Sequence, residues 1–123
     1  MAVAGMNHFT VLTDDVPATV GFYRDVLGLS EGPRPPLAFP GAWLYAGGLA
    51  ILHVVGGRPR GELTPGVIDH MAFSASGRAA TLAALTARHI DYTCRQQVGS
   101  GIWQVFFHDP NGAKVELDFA ATE

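Results

Sequence analysis

Little in this sequence points outward. A single cysteine, Cys94, stands among 123 residues. No disulfide can form within the chain, which fits a reducing compartment. No stretch approaches the roughly 20 apolar residues of a membrane-spanning helix. Met1-Ala-Val-Ala-Gly-Met6 has neither the basic start nor the apolar run of a secretory signal. Charge is sparse at 15% of residues, with a net of −3 and scattered arginines, so a nucleic-acid surface is not expected. These absences predict a soluble, cytoplasmic protein with no nucleic-acid or membrane partner. What the chain does have is apolar residues, 48% of the total. That is enough to bury a core and offset chain entropy, and a single domain over 1–123 is expected.

Two short stretches are alike. Asn7-His8-Phe9-Thr10-Val11 and Asp69-His70-Met71-Ala72-Phe73 share one order: polar, histidine, apolar, small, apolar. The histidines lie 62 positions apart, about half the chain. Each stretch alternates with the period of a strand (Met6–Thr13 and Val67–Ser74). Each leads into a helical segment and then into short strands. The expectation is two half-modules, about 1–57 and 66–123, each a strand, a helix and a set of short strands, in an α+β fold.

In the first half, Asp14 or Asp15 caps a helix with Pro17 in its first turn. Val16, Val20, Tyr23 and Leu27 form its buried stripe, and Gly28 ends it. Residues 32–36, rich in proline, read as a loop or weak edge. Ala42–Ala46 and Leu49–Val55 are strands turned by Gly47-Gly48, with Trp43 and Tyr45 on one face. Gly56–Gly66, with Arg58 and Arg60, reads as a flexible connection. In the second half, Ser76 caps a helix that buries Ala79, Leu82, Ala83 and Leu85. Three strands follow: Tyr92–Val98, Ile102–His108 and Ala113–Phe119. Pro110 excludes a mirror-image two-residue turn, so Asp109-Pro110-Asn111-Gly112 fits a type I turn with Gly112 left-handed. That register sets Phe106 opposite Glu116. Gln104, Phe106 and His108 then share a face with Lys114, Glu116 and Asp118, while Val115, Leu117 and Phe119 face the helices.

His53 and Glu116 differ by 63 positions, nearly the separation of His8 and His70. These are two pairs of equivalent positions in two halves. Were the halves to meet about a pseudo-two-fold axis, all four side chains would converge. Two imidazoles and a carboxylate form the 2-His-1-carboxylate set with open positions. His53 would add a third imidazole, suiting zinc, nickel, cobalt or iron. Trp43, Tyr45 and Phe106 are candidate pocket walls, and Gln104 and His108 candidate substrate contacts.

The chain resembles the vicinal oxygen chelate superfamily of glyoxalase I, extradiol dioxygenases, methylmalonyl-CoA epimerase, fosfomycin-resistance enzymes and bleomycin-binding proteins. The resemblance rests on Asn7-His8-Phe9, on Phe22-Tyr23-Arg24-Asp25-Val26-Leu27-Gly28-Leu29, on Asp69-His70-Met71-Ala72-Phe73, and on Asp109-Pro110-Asn111-Gly112 followed by Val115-Glu116-Leu117. It implies paired βαβββ modules whose curved mixed sheet surrounds a metal cleft, commonly in a homodimer. His8, His70 and Glu116 match ligand positions for a divalent ion (zinc, nickel, iron, manganese or cobalt), and Glu116 is the catalytic candidate. Two positions depart from relatives: His53 stands where glyoxalase I has a glutamate, and Phe106 where extradiol dioxygenases carry a tyrosine. The resemblance therefore implies a glyoxalase-like lyase or isomerase acting on a small oxygen-chelating substrate. The alternatives are a non-haem iron dioxygenase-like enzyme, or a bleomycin-resistance-type binding protein with Trp43, Tyr45, Trp103 and Phe106 around its ligand.

Overall fold

The computed structural model describes residues 1–59, 61 and 66–123. Arg60 and residues 62–65 of the expected connection lie outside the described residues. The chain divides into two compact units, Met1–Gly61 and Glu62–Glu123. Both are βαβββ modules, as the resemblance implies. No helix among the described residues is long and apolar enough to cross a membrane.

The first unit runs β1 (Phe9–Leu12), α1 (Val16–Leu27), β2 (Ser30–Gly32), β3 (Gly41–Ala46) and β4 (Leu49–Val55). Its sheet has the order β1-β4-β3-β2, with β1 parallel to β4 and the other pairs antiparallel. Asp15 caps α1, its carboxylate accepting from Ala18 N at 3.0 Å. Gly28, at φ 72°, closes the helix while Leu29 N donates to Tyr23 O. Thr19, Val20, Phe22, Tyr23 and Val26 are the buried side of α1. Val16 and Leu27, expected on that stripe, flank it half-buried. The core beneath is Ala42, Leu44, Leu52 and Val54, the alternate residues of β3 and β4. Trp43 and His53, directly paired across the two strands, are left on the other face.

The second unit runs β5 (Met71–Ser74), α2 (Arg78–Ala87), β6 (Tyr92–Gln96), β7 (Trp103–His108) and β8 (Lys114–Phe119). The sheet order β5-β8-β7-β6 repeats that of the first unit. The closing turn is as expected: Gly112 has φ 87°, Gly112 N donates to Asp109 O, and Asp109 N donates to Ala113 O at 2.9 Å. Phe106 pairs with Glu116, Gln104 with Asp118 and His108 with Lys114. Val105, Phe107, Val115, Leu117 and Phe119 are each at most 3% exposed and form the apolar face.

Three expectations change. The strands holding the histidines are shorter than predicted, so His8 and His70 sit immediately before β1 and β5. In the second unit the cause is register: Met71 pairs with Val115, and β8 has only just left its turn at Lys114. The cap of α2 is not Ser76. Gly77, at φ 81°, occupies the position without a side chain to offer. Glu123 Oε1 instead accepts from Gly77 N at 2.7 Å and Arg78 N at 3.0 Å, a remote carboxylate at a helix N-terminus. Finally, α2 buries Thr81 and Leu85 while Ala79 and Ala83 are exposed. Two alanines carry too little area to hold a face inward.

Candidate functional site

Each unit gathers part of the expected set. In the first, the rings of His8 and His53 stack at 3.7 Å between centroids with an interplanar angle of 13°. Trp43 covers the other side of His53 at 4.1 Å and 9°. The result is a column of three rings. Imidazole lone pairs lie in the ring plane, so those of His8 and His53 run side by side and do not converge on one point. His53 thus lies ring on ring with His8. Burial, and then the charge of His8, push its pKa below the ordinary histidine range, which keeps the ring neutral at neutral pH. His8 itself is exposed, and its Nδ1 lies 2.6 Å from Asn7 Oδ1. An amide oxygen only accepts, so Nδ1 carries the hydrogen and Nε2 is left as the lone pair. Tyr45 is engaged elsewhere: its ring lies against Gly32 and its hydroxyl donates to Pro33 O.

The second unit holds the other pair. His70 Nδ1 donates to Asp69 Oδ2 at 2.8 Å, and Nε2 stands 2.7 Å from Glu116 Oε2. With Nδ1 protonated, the neutral ring presents a lone pair to a carboxylate oxygen. Two acceptors at that distance need one proton or one cation between them. Glu116 is buried although it is an acid, and its second oxygen, Oε1, accepts from Gln104 Nε2 at 2.7 Å. Phe106 stands edge-on to His70 at 5.7 Å and 83°. Next along β8, Asp118 has a buried oxygen, Oδ1, with no hydrogen-bond partner among the described residues. Burial, and then hydrogen bonding and charge from Glu116, raise its carboxyl above the usual range. Asp69 moves the other way. Its hydrogen bonds from His70 and Lys114 hold it below the usual range. Two interacting acids, an orphaned carboxylate oxygen and an oriented imidazole form a donor environment that suits a hard or borderline divalent cation.

These residues border an open cleft of about 950 Å³ lined by His70, Gln104, Phe106, His108 and Glu116 together with Arg95 and Lys114. Within neither unit, among the described residues, do three His, Cys, Asp or Glu gather as a ready metal set. Each supplies a pair: His8 with His53, and His70 with Glu116. His108 is an exposed strand end, and Gln104 donates one N–H of its amide to Glu116. Trp103, expected beside Phe106, faces the opposite side of the sheet, where Arg78 lies 4.0 Å above its ring. Residues 103 and 106 differ by an odd number, so a strand must separate them.

Sequence reasoning missed the orienting partners. The signal was present, because both copies of the repeat carry a hydrogen-bond acceptor one residue before the histidine. It also missed Arg95, which lies outside the repeat.

Comparison with known proteins agrees with this architecture. A family model described as the Glyoxalase/Bleomycin resistance protein/Dioxygenase superfamily matches residues 5–117. The chain is 30% identical over 122 residues to Glyoxylase I 4 of Arabidopsis thaliana, covering 94% of this chain and 70% of that protein. Among solved structures, it superposes with a TM-score of 0.77 on an E126Q mutant of the fosfomycin resistance protein FosX from Listeria monocytogenes, complexed with Mn(II) and 1S,2S-dihydroxypropylphosphonic acid. The identity there is 17%, over 97% of this chain and 94% of that one. Lactoylglutathione lyase from Agrobacterium tumefaciens gives a TM-score of 0.68 at 22% identity, covering 99% and 98%. At these identities the solved structures speak for the fold.

Proposed function

Because the chain belongs to the Glyoxalase/Bleomycin resistance protein/Dioxygenase superfamily, we propose that it is a metal-dependent, glyoxalase-like enzyme of lyase or isomerase type. Its substrate is a small molecule whose neighbouring oxygens chelate the ion. The observation that carries this is the 2.7 Å approach of His70 Nε2 to Glu116 Oε2, with the far side of the ring held by Asp69. Two donors around one ion at about 2.1 Å each stand roughly 3.0–3.4 Å apart, so this pair accepts an ion by opening less than about 1 Å. Of the expected ligands, His70 and Glu116 stand together in the second unit, and His8, with Nδ1 held by Asn7, belongs to the first. His53 and Trp43 support His8.

When bound, a divalent ion would polarise the substrate's carbonyl or enediolate oxygen. The chain's own residues do the rest. Gln104 holds the Glu116 carboxylate through Oε1, which keeps the acid in one orientation from which it orients the substrate or takes and returns a proton. Phe106 lines the cleft beside it. A phenylalanine there has no proton to give, which favours isomerisation or lyase chemistry over ring cleavage. Exposed Met6, Leu49, Val67 and Ile68 support a homodimer, which light scattering of the purified protein will reveal. The decisive test is metal analysis with manganese and zinc titration. Wild type is expected to take up one ion per chain, and His70→Ala and Glu116→Gln to lose it. Unchanged binding in both variants refutes the site.

A further inference from the structure

The even-numbered face of β7 carries Gln104, Phe106 and His108, and β6 pairs against it with Arg95 opposite Gln104 and Thr93 opposite Phe106. Arg95 consequently lies on the same face as Glu116. Its guanidinium carbon stands 5.2 Å from the Phe106 ring centroid, and His70 meets the same ring at 5.7 Å. The other cation at this ring is Lys114, whose Nζ is 5.3 Å from the centroid and is already committed to Asp69 Oδ2 at 3.3 Å. Arg95 has no such commitment: among the described residues no carboxylate pairs with it. Asp91, the remaining acid of the cleft wall, lies four residues back, roughly 13 Å along an extended chain. The five donors of a guanidinium fork match the geometry of a carboxylate.

We propose that Arg95 is an anion-binding site at the edge of the cleft, and that the substrate is a small organic acid. Its anionic group meets Arg95, its apolar or planar body lies on Phe106, and its neighbouring oxygens reach His70 and Glu116. This rests on the metal-centred reading above for the last element only. The aromatic face and the cation do not depend on it.

The probes are 3,4-dihydroxybenzoate and its neutral amide, 3,4-dihydroxybenzamide, which share chelating oxygens and a ring and differ in one charge. Calorimetric titration of the manganese-loaded protein is expected to show the acid binding about tenfold more tightly than the amide. That preference should vanish in Arg95→Gln and persist in Arg95→Lys, with manganese affinity equal in all three proteins as proof that the variants are intact. Equal binding of acid and amide to wild type, or a preference that survives Arg95→Gln, overturns the proposal and leaves the metal site standing. A protein that takes up no manganese overturns the metal site instead. The same comparison of benzoate with benzamide in chelator, followed by NMR shifts, then decides Arg95 on its own.

Discussion

Replacing Gln104 with methionine keeps the volume of the side chain and removes one hydrogen-bond donor. In the native protein that donor reaches Glu116 Oε1 at 2.7 Å, on a carboxylate only 6% exposed. A buried acceptor stripped of its donor in such a place costs about 1–3 kcal/mol. Because the cleft above is open to water, the middle of that range applies, about 2 kcal/mol. For a chain of this length, roughly 3–4 °C of Tm accompanies each kcal/mol, so Gln104→Met should melt about 6–8 °C below wild type. Urea unfolding at 25 °C gives the free energy directly. A second consequence separates positioning from mere packing. Without its clamp Glu116 rotates, and manganese affinity falls about tenfold, as when outer-shell partners of metal ligands are lost. Saturating manganese then recovers part of the lost Tm by mass action. Should Gln104→Met unfold within about 0.5 kcal/mol of wild type and bind manganese as tightly, the clamp has no role.

Three further outcomes are expected. Asp69→Ala frees the His70 ring and should weaken manganese binding about tenfold, while Asp69→Asn, which keeps an acceptor, loses less; equal titrations of all three proteins would contradict the orienting role. Glu123→Ala removes the acceptor from the first turn of α2 and should cost about 1 kcal/mol, with faster amide exchange at Gly77 and Arg78 and no change at α1. In the metal-free protein, a folded-state pKa for His53 below its ordinary 6.5 means that the unfolded chain binds the extra proton first. Stability is therefore level above about pH 6.5 and declines as pH falls below it; His53→Asn should flatten that decline in pH-dependent urea titrations.

The parts of this fold that could be read in advance are those where one residue type dictates a local geometry. Pro110 with Gly112 determined the turn, and the turn determined which residues oppose one another on β7 and β8. Asp15 and Gly28 bounded α1 for the same reason. The helix α2 was harder, because its cap comes from Glu123, 46 residues away from Gly77, and no local pattern announces that. Strand ends were overextended wherever alternation continued past the partner strand, as before Met71. At the site, the positions were legible through the repeat. Their division into one half with His8 and His53 and another with His70 and Glu116 follows from register, since Thr10 pairs with His53 as Ala72 pairs with Glu116. What spacing could not supply was ring orientation. Only geometry shows that His53 lies flat on His8, and that Asn7 and Asp69 each turn a neighbouring imidazole.

The ring column in the first unit makes Trp43 an optical witness. A cationic imidazole quenches indole emission at contact distance, and Trp43 has His53 pressed against it while the molecule's other tryptophan, Trp103, sits under Arg78. Once Trp103 is replaced by phenylalanine, the remaining fluorescence reports on the imidazoles alone. It dims when His53, the ring in contact with Trp43, takes up a proton.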